Sequence, residues 1–324
     1  MALFKLKRRK RESSGLFVDR SIYRYIAVSG HPWNYKVVRS AAGSLRGDFA
    51  SESGSFADLG KRLDLLFESI VNDIGEIKVP INISLPITDS LMRTVSLGDM
   101  NLLDAKLAFR YEYEKYFPFP VDEAVYDMAP ILYPLPNGTE EKRFIVASAR
   151  RTLIDDIMNA ALAQGIEIAS IEPAQLALER AATPQTPFCD AAVYVYVGLS
   201  YSVIILSWKG SGIFYRSVLK GHDAAVNAES EGLPDKETLE YGFVRDINIS
   251  MQFALSQIRG FEPSMMFLFG PGVSDRLCDI MKKSVTVASV TTIDPLTVHG
   301  IDFRKDDARA GSWEIPIGLA LRNP

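Results

Sequence analysis

Hydrophobic residues at helical spacing predict the long helices of the chain. In residues 56–75 (FADLGKRLDLLFESIVNDIG) apolar positions recur every three or four residues and a glycine ends the pattern. Residues 152–165 repeat this arrangement, with Thr152 and Asp155 at the spacing of a capping box. A third, longer helix is predicted over residues 236–259.

Short runs rich in β-branched and aromatic residues alternate with these helices. Residues 15–30 (GLFVDRSIYRYIAVSG) hold two apolar pieces around a polar turn at 19–21, which predicts a tight hairpin. Both halves of the chain begin with strands and continue with helix–strand units, and TPQTPF at 183–188 predicts a linker between them. Further strands are predicted at residues 33–43, 78–86, 124–138, 141–150, 166–173, 192–198, 202–208, 212–217 and 264–269.

An aromatic and proline-rich segment interrupts this alternation at residues 114–131 (EKYFPFPVDEAVYDMAPI). Each proline fixes φ and removes a backbone donor, so the helix before it must end in a rigid corner. Phe117 and Phe119 at this corner either fill a core or line a groove for a partner. Asp122 and Glu123 predict a solvated acidic rim rather than a catalytic carboxylate pair, because no companion base or metal ligand accompanies them.

Charge is distributed unevenly along the 324 residues. The net charge is −4, but residues 1–11 (MALFKLKRRKR) carry six basic residues and no acidic one, which leaves −10 on the rest. We expect residues 1–14 to form a flexible basic arm that contacts an anionic membrane or moves freely. No apolar stretch follows the arm, so it is not a signal peptide. The acidic body argues against nucleic-acid binding.

Cysteine and histidine usage argues against a disulfide framework or a zinc site. The chain has two cysteines, Cys189 and Cys278, in no CxxC pair, and three histidines far apart in sequence. This usage favours the reducing cytoplasm. The most apolar window, residues 191–207, contains a glycine and polar residues, and it predicts two strands and a turn rather than a membrane span.

Five motifs together resemble the PilM family of type IV pilus assembly proteins, within the actin-like ATPase superfamily. The most specific is EYEKYFPFPVDEAVYD, which stands where that family has a helix running into an Ile-Pro-Phe-Pro type segment. The other four are SIEPAQLALERA, VYVYVGLSYSVIILSWKGSGIFYRSVLKG, MFLFGPGVSDRLCDIMKK and IPIGLALR.

The resemblance implies an α/β, bilobal actin-like fold (a duplicated ribonuclease H-like fold of FtsA-like architecture). It places the first lobe at 15–188, a small inserted α+β subdomain near 90–151, and the second lobe at 189–324. It also implies a protein at the cytoplasmic face of the inner membrane. Such a protein binds the short N-terminal peptide of a PilN-like inner-membrane protein, together with other pilus assembly proteins. The partner-binding residues predicted on this basis are Phe117, Phe119, Asp122 and Glu123.

The same resemblance implies a pocket for ATP with Mg²⁺ between the lobes. In the first hairpin, where the family has an Asp-Ile-Gly-Ser type sequence, this chain has Asp19, Arg20 and Ser21 and lacks the glycine. Asp19 either approaches Mg²⁺ or caps the turn, and Arg20 offers a guanidinium for a phosphate.

The second hairpin and the adenosine loop are also altered. Tyr196 stands where the family has an aspartate, and the phosphate-facing residues implied are Gly198, Leu199 and Ser200. In the adenosine loop, Gly270 and Gly272 flank a proline that removes one donor. With one of two carboxylates lost, Mg²⁺ and the attacking water are poorly held. We therefore expect weak or absent hydrolysis.

Two classes of function follow. The first is a scaffold that binds partners and has little or no ATPase activity. The second is an enzyme, either an ATP-driven switch of the same pilus or of a related type II secretion platform, or a sugar-kinase relative. A sugar kinase needs intact phosphate hairpins and a base aspartate, and the hairpins of this chain are altered. The sequence favours the scaffold.

Overall fold

The computed structural model describes residues 12–19, 22–44, 59–221, 236–287, 289–303 and 313–322, with the backbone only at 19, 59–62 and 236–238. Helices in these ranges are α1 (Leu59–Ile74), α2 (Leu102–Glu112), α3 (Arg151–Ala163), α4 (Ala174–Ala182), α5 (Lys236–Ser256), α6 (Asp275–Ser284), α7 (Pro295–His299) and α8 (Glu314–Ala320). Strands are β1 (Glu12–Asp19), β2 (Ile22–His31), β3 (Asn34–Ser44), β4 (Ile81–Leu85), β5 (Ser90–Val95), β6 (Ala124–Pro134), β7 (Glu140–Arg150), β8 (Ile168–Pro173), β9 (Ala191–Val197), β10 (Ser202–Trp208), β11 (Ser211–Val218), β12 (Met265–Phe269), β13 (Ser289–Thr292) and β14 (Ile301–Asp302).

Two mixed sheets have corresponding topologies. The first runs β14-β3-β2-β1-β4-β8, and the second runs β11-β10-β9-β12-β13. In each, three antiparallel strands (β1–β3 and β9–β11) lead into parallel partners that follow a helix. The duplication inferred from element order is therefore present in the strand pairing. The short β14 pairs with β3, so the chain returns to the first sheet near its end.

A third sheet, of order β5-β7-β6, shares no strand pairing with the other two. Together with α2 and the aromatic corner it spans residues 90–150, and we call this unit the inserted subdomain. Its strands alternate faces, with Phe144 and Val146 facing its own core while Ile145 and Ala147 face the rest of the molecule. Strand β6 is an edge strand of this sheet.

Helices α4 and α8 lie between the two large sheets. Ala177 and Leu178 of α4 and Leu319 of α8 share one apolar cluster with Phe17 of the first sheet and Tyr194 of the second. The two helices cross closely because both present small residues to each other. On the outer faces, α1 and α3 cover the first sheet, and α5 and α6 cover the second.

The predicted elements are present with shifted ends, and the capping box at Thr152 was wrong. Helix α3 begins one residue earlier, at Arg151, and its N-cap is Arg150, which makes no side-chain capping hydrogen bond. The Arg151 guanidinium instead binds the Asp122 and Ala124 carbonyls at 3.3 and 2.7 Å, and these tertiary bonds hold the start of the helix. A capping pattern in the sequence cannot reveal these tertiary hydrogen bonds of Arg151.

Candidate functional site

The glycine loops of the second lobe meet at one edge of its sheet. Strands β9 and β12 are parallel neighbours with Tyr196 opposite Phe269, so the turns that follow them lie side by side. The Gly272 N–H donates to the Val197 carbonyl at 2.9 Å and ties the loops together. The structure thus brings Gly198 near Gly272, and the role of these glycines in nucleotide binding stays a prediction.

Tyr196 fills the space beneath these loops. Its side chain is buried, and its ring contacts those of Tyr201 and Phe269 at centroid distances of 5.9 and 5.5 Å. A Cβ at Gly198 or at Gly270 would lie 2.8 Å from the Tyr196 ring. Gly270 also has φ +108°. Backbone geometry and the tyrosine ring therefore require both glycines, whatever the loops bind.

The described residues of these loops do not fit a Mg²⁺–nucleotide. The N–H of Gly198 donates to the Tyr201 carbonyl at 2.9 Å, and the N–H of Gly272 is used within the protein as well. A Cβ at Gly221 would lie 1.9 Å from the Leu199 oxygen and 2.4 Å from the Ser200 nitrogen, so the backbone after β11 covers that peptide. Tyr196 offers no carboxylate for a hydrated Mg²⁺.

The first hairpin is only partly described. Pairing of Asp19 with Ile22 confirms the predicted tight hairpin, with Arg20 and Ser21 between them. Arg20, Ser21 and the Asp19 side chain lie outside the described residues, as do residues 1–11 of the arm predicted at 1–14. Residues 12–14 are not part of a flexible arm, because they belong to β1 and pair with β2. Their roles stay predictions. In the part of the chain whose side chains are described, no three His, Cys, Asp or Glu residues converge on a metal position.

The aromatic corner lies within the core of the inserted subdomain. Phe117 and Phe119 are 3% and 8% exposed. Phe117 stacks on Tyr113 with centroids 4.9 Å apart, and the Tyr113 hydroxyl bonds the Ser148 Oγ at 2.6 Å. Of the two alternatives that the sequence left open for these rings, the structure shows the core position. The prolines end the helix so that both rings can turn back under it.

Asp122 and Glu123 lie on the exposed side of the same corner, immediately before β6. Asp122 pairs with Arg110 at 3.2 Å and Glu123 pairs with Arg150 at 3.3 Å. Both pairs are solvent-exposed, and such pairs contribute at most about 1 kcal/mol each. Their partner-binding role stays a prediction.

Phe117→Ala is expected to lower the free energy of unfolding by about 3–5 kcal/mol, because it removes a buried ring and leaves a cavity. Urea unfolding followed by circular dichroism measures the change. The control is Tyr111→Ala on α2, whose side chain is 90% exposed, and we expect it to stay within about 0.5 kcal/mol of wild type. Equal stability of both variants would contradict the core position.

An apolar groove of about 300 Å³ separates the inserted subdomain from the first lobe. One wall is the outward face of the subdomain sheet, where small side chains keep the groove open. The opposite wall comes from β4, α3, β8 and α4. The first wall includes Met92, Val125, Asp127, Ala129, Ile145, Ala147 and Ala149, and the second includes Leu85, Ile154, Ile171, Pro173 and Leu176.

A buried ion cluster lines the inner end of this groove. Glu172, only 2% exposed, accepts two hydrogen bonds from Arg180, at 2.7 and 3.0 Å, and a third from Arg322. Arg180 also donates to the Gly318 carbonyl at 2.8 Å. The cluster joins β8, α4 and the end of the chain, so it fixes the inner wall. Because every carboxylate oxygen is paired, the buried charge is compensated.

Sequence reasoning did not identify the groove. The sequence feature that indicates the groove is the alternation in β7. Ala147 and Ala149 occupy one face of this strand, while Phe144 and Val146 occupy the other. Small residues on one face of a strand predict space beside it. Strands β4 and β8 lie across that space, and β4 precedes Ala147 by more than sixty residues. A local sequence pattern therefore cannot show that these strands meet.

Comparison with solved structures identifies the fold. A chain of the "PilM-PilN type IV pilus biogenesis complex" is 20% identical, covers 97% of this chain and 98% of its own length, and superposes with a TM-score of 0.73. The chain has the actin-like fold of PilM. The predicted PilM-like resemblance and the bilobal actin-like fold class are thereby confirmed. No family model matches the chain, and no curated protein does.

Two further solved structures superpose less closely than the PilM–PilN structure. Ethanolamine utilization protein EutJ from Carboxydothermus hydrogenoformans is 11% identical and covers 96% of this chain and 89% of its own, with a TM-score of 0.47. The cytoplasmic domain of EpsL, an inner-membrane component of the Vibrio cholerae type II secretion system, is 10% identical and covers 89% and 98%, also with a TM-score of 0.47. Neither bears on function at that level of similarity.

The glycine loops and the apolar groove differ in the space that they leave for another molecule. The glycine loops lie at the edge of the second sheet, and their described residues are occupied by Tyr196 and by internal hydrogen bonds. The groove beside β6 is apolar and open. No helix of the described residues is long and apolar enough to cross a membrane.

Proposed function

We propose that the chain is an actin-like scaffold of a type IV pilus assembly platform at the inner face of the inner membrane. Its partner is the short cytoplasmic N-terminal peptide of a PilN-like membrane protein, along with other pilus assembly proteins. The observation that supports this most is a PilM fold over the full length that also contains an open apolar groove. In this proposal the groove between the inserted subdomain and the first lobe receives the peptide.

The edge strand β6 gives the peptide its backbone contacts. An edge strand presents N–H and C=O groups to an added strand, and pockets beside it accept alternate side chains. Ala129 and Ala147 leave room for the apolar side chains of the peptide. Asp122 and Glu123 precede β6, and exposed Asp127 lies on it. These carboxylates form exposed ion pairs with Arg110, Arg150 and Lys106 respectively. Basic residues of a peptide would compete with these partners for the carboxylates.

Titration of the whole protein with a PilN-like N-terminal peptide, by calorimetry, tests the proposal. We expect saturable binding with one peptide per chain. A scrambled peptide of the same composition is the control, and it should not bind. If the native and scrambled peptides bind equally, or if neither binds at millimolar concentration, the proposed partner is wrong.

In the same proposal the protein does not hydrolyse ATP at a significant rate. The supporting observation is Tyr196, which stands at the expected acidic position and packs under Gly198 and Gly270. Phosphate release from ATP with Mg²⁺ is expected to stay within twofold of the rate without protein, because no described carboxylate holds the metal and water. Calorimetry with ATP and Mg²⁺ tests binding separately.

The opposite result would favour the alternative function. Magnesium-dependent phosphate release that Asp19→Ala abolishes would make the chain an ATP-driven switch, of this pilus or of a related type II secretion platform. In that case Arg20, Ser21 and Gly272 would be nucleotide contacts.

A further inference from the structure

A second cavity, of about 570 Å³, lies between the inserted subdomain and the second lobe. Its walls come from β5 and β7 on one side and from β11 and α5 on the other. Its volume falls in the range of small-molecule sites. None of the described nucleotide-loop residues (Gly198, Leu199, Ser200, Gly270 and Gly272) lines it.

Three arginines from different elements line this cavity, and its lining residues include no carboxylate. Arg93 belongs to β5, Arg143 to β7 and Arg216 to β11. Arg143 pairs with the nearby Glu141 and lies 3.6 Å from the centroid of the Tyr133 ring. The cavity therefore carries an excess of positive charge.

The other two arginines have no acidic partner within the described part of the chain. Arg93 donates to the adjacent Met92 carbonyl at 2.8 Å. The Arg216 guanidinium lies 4.5 Å from the centroid of the Phe253 ring, and its Nε is buried without a hydrogen-bond partner. An unsatisfied buried donor on a charged group is costly, and a bound anion would satisfy it.

A buried polar chain supports the wall beside Arg216. The Ser90 hydroxyl donates to Gln175 Oε1 at 3.3 Å, and Gln175 Nε2 donates to the Ser217 hydroxyl at 3.3 Å. Ser90 and Gln175 are each 3% exposed. These bonds connect three parts of the fold at the cavity and hold its shape.

Tyr215, another lining residue, directs its hydroxyl to Glu179. Burial raises the pKa of Glu179, while hydrogen bonds from the Tyr215 hydroxyl and the Gly212 N–H oppose that rise. The carboxylate is thereby occupied by neutral donors. Its two oxygens accept from the Gly212 N–H and the Tyr215 hydroxyl rather than from Arg93 or Arg216.

We propose that this cavity binds a small organic phosphate. Its phosphoryl group would lie among Arg93, Arg143 and Arg216, and its organic part would pack against Phe214 and Phe253. Guanidinium groups bind phosphate oxygens through paired hydrogen bonds, and a phosphate dianion balances the two arginines that lack a carboxylate partner. Because the cavity joins two lobes, its ligand would hold the inserted subdomain against the second lobe.

Calorimetric titration of the whole protein with phenyl phosphate tests this site. We expect saturable binding that Arg216→Gln and Arg93→Gln each weaken at least tenfold. Arg110→Gln, which removes the same charge from exposed α2, should change the affinity less than twofold. Isophthalate, a dicarboxylate of the same charge and ring size, should bind at least tenfold more weakly than phenyl phosphate.

Three results would overturn the assignment: no saturable binding of phenyl phosphate by the wild type at millimolar concentration, equal binding in the wild type and the Arg93→Gln variant, or isophthalate binding as tight as that of phenyl phosphate. Arg93 is exposed, so its variant reports on the site even if Arg216→Gln fails to fold. The PilN-like peptide is titrated in parallel, and unchanged peptide affinity in these variants separates this site from the groove.

Discussion

Ala147→Trp is expected to weaken binding of the PilN-like peptide at least about 100-fold, a loss of about 2.7 kcal/mol of binding free energy. Ala147 lies on the groove face of β7, where the groove of about 300 Å³ has room for an indole. The new ring would occupy the space that the peptide side chains need. Because it fills an open groove rather than a packed core, we expect the free energy of unfolding to change by less than about 1 kcal/mol.

Calorimetric titration with the peptide measures the affinity, and urea unfolding measures the stability. Ala163→Trp is the matched control, because Ala163 is exposed near the end of α3 and does not line the groove. This control should bind the peptide as the wild type does. Full affinity in the Ala147→Trp variant would place the peptide elsewhere, and the acidic rim at Asp122 and Glu123 would then be tested by charge reversal.

Gly318→Ala is expected to lower the free energy of unfolding by about 3 kcal/mol, at the upper end for an overpacked core. A Cβ at Gly318 would lie 1.8 Å from the Ala177 carbonyl oxygen, where α8 crosses α4. The obstacle is backbone, so it cannot rotate away as a side chain would. The two helices between the lobes would have to separate, and the contact between Arg180 and the Gly318 carbonyl would be strained.

Gly242→Ala provides the matched control for that substitution. Gly242 lies within α5, and a Cβ there would meet nothing within 4 Å. Alanine loses less conformational freedom than glycine on folding, so this variant should be about 0.5–1 kcal/mol more stable than wild type. Urea unfolding of both variants gives the comparison. If the free energy of unfolding of Gly318→Ala stays within about 1 kcal/mol of wild type, the two helices are not packed as closely as the structure indicates.

The sequence was most informative where a residue type restricts the conformation of its own backbone. The prolines at 118 and 120 end the helical segment, and the hairpin at Asp19 and Ile22 follows from a short polar turn between two apolar runs. Gly198 and Gly270 directly follow the buried strands β9 and β12. The sequence could not show that Tyr196 lies under both glycines, because their proximity depends on the pairing of β9 with β12.

Local patterns thus predicted the long helices, most of the strands, their order in the two halves and the motifs that resemble PilM, since each depends on neighbouring residues in the chain. Only the tertiary structure determined which faces of the helices and strands pack against one another. It buried Phe117 and Phe119 in the inserted subdomain, returned β14 to the first sheet, and paired Glu172 with Arg322 across 150 residues. It also created the groove and the arginine-lined cavity, because a space between elements depends on how distant segments pack and not on the periodicity of any one of them.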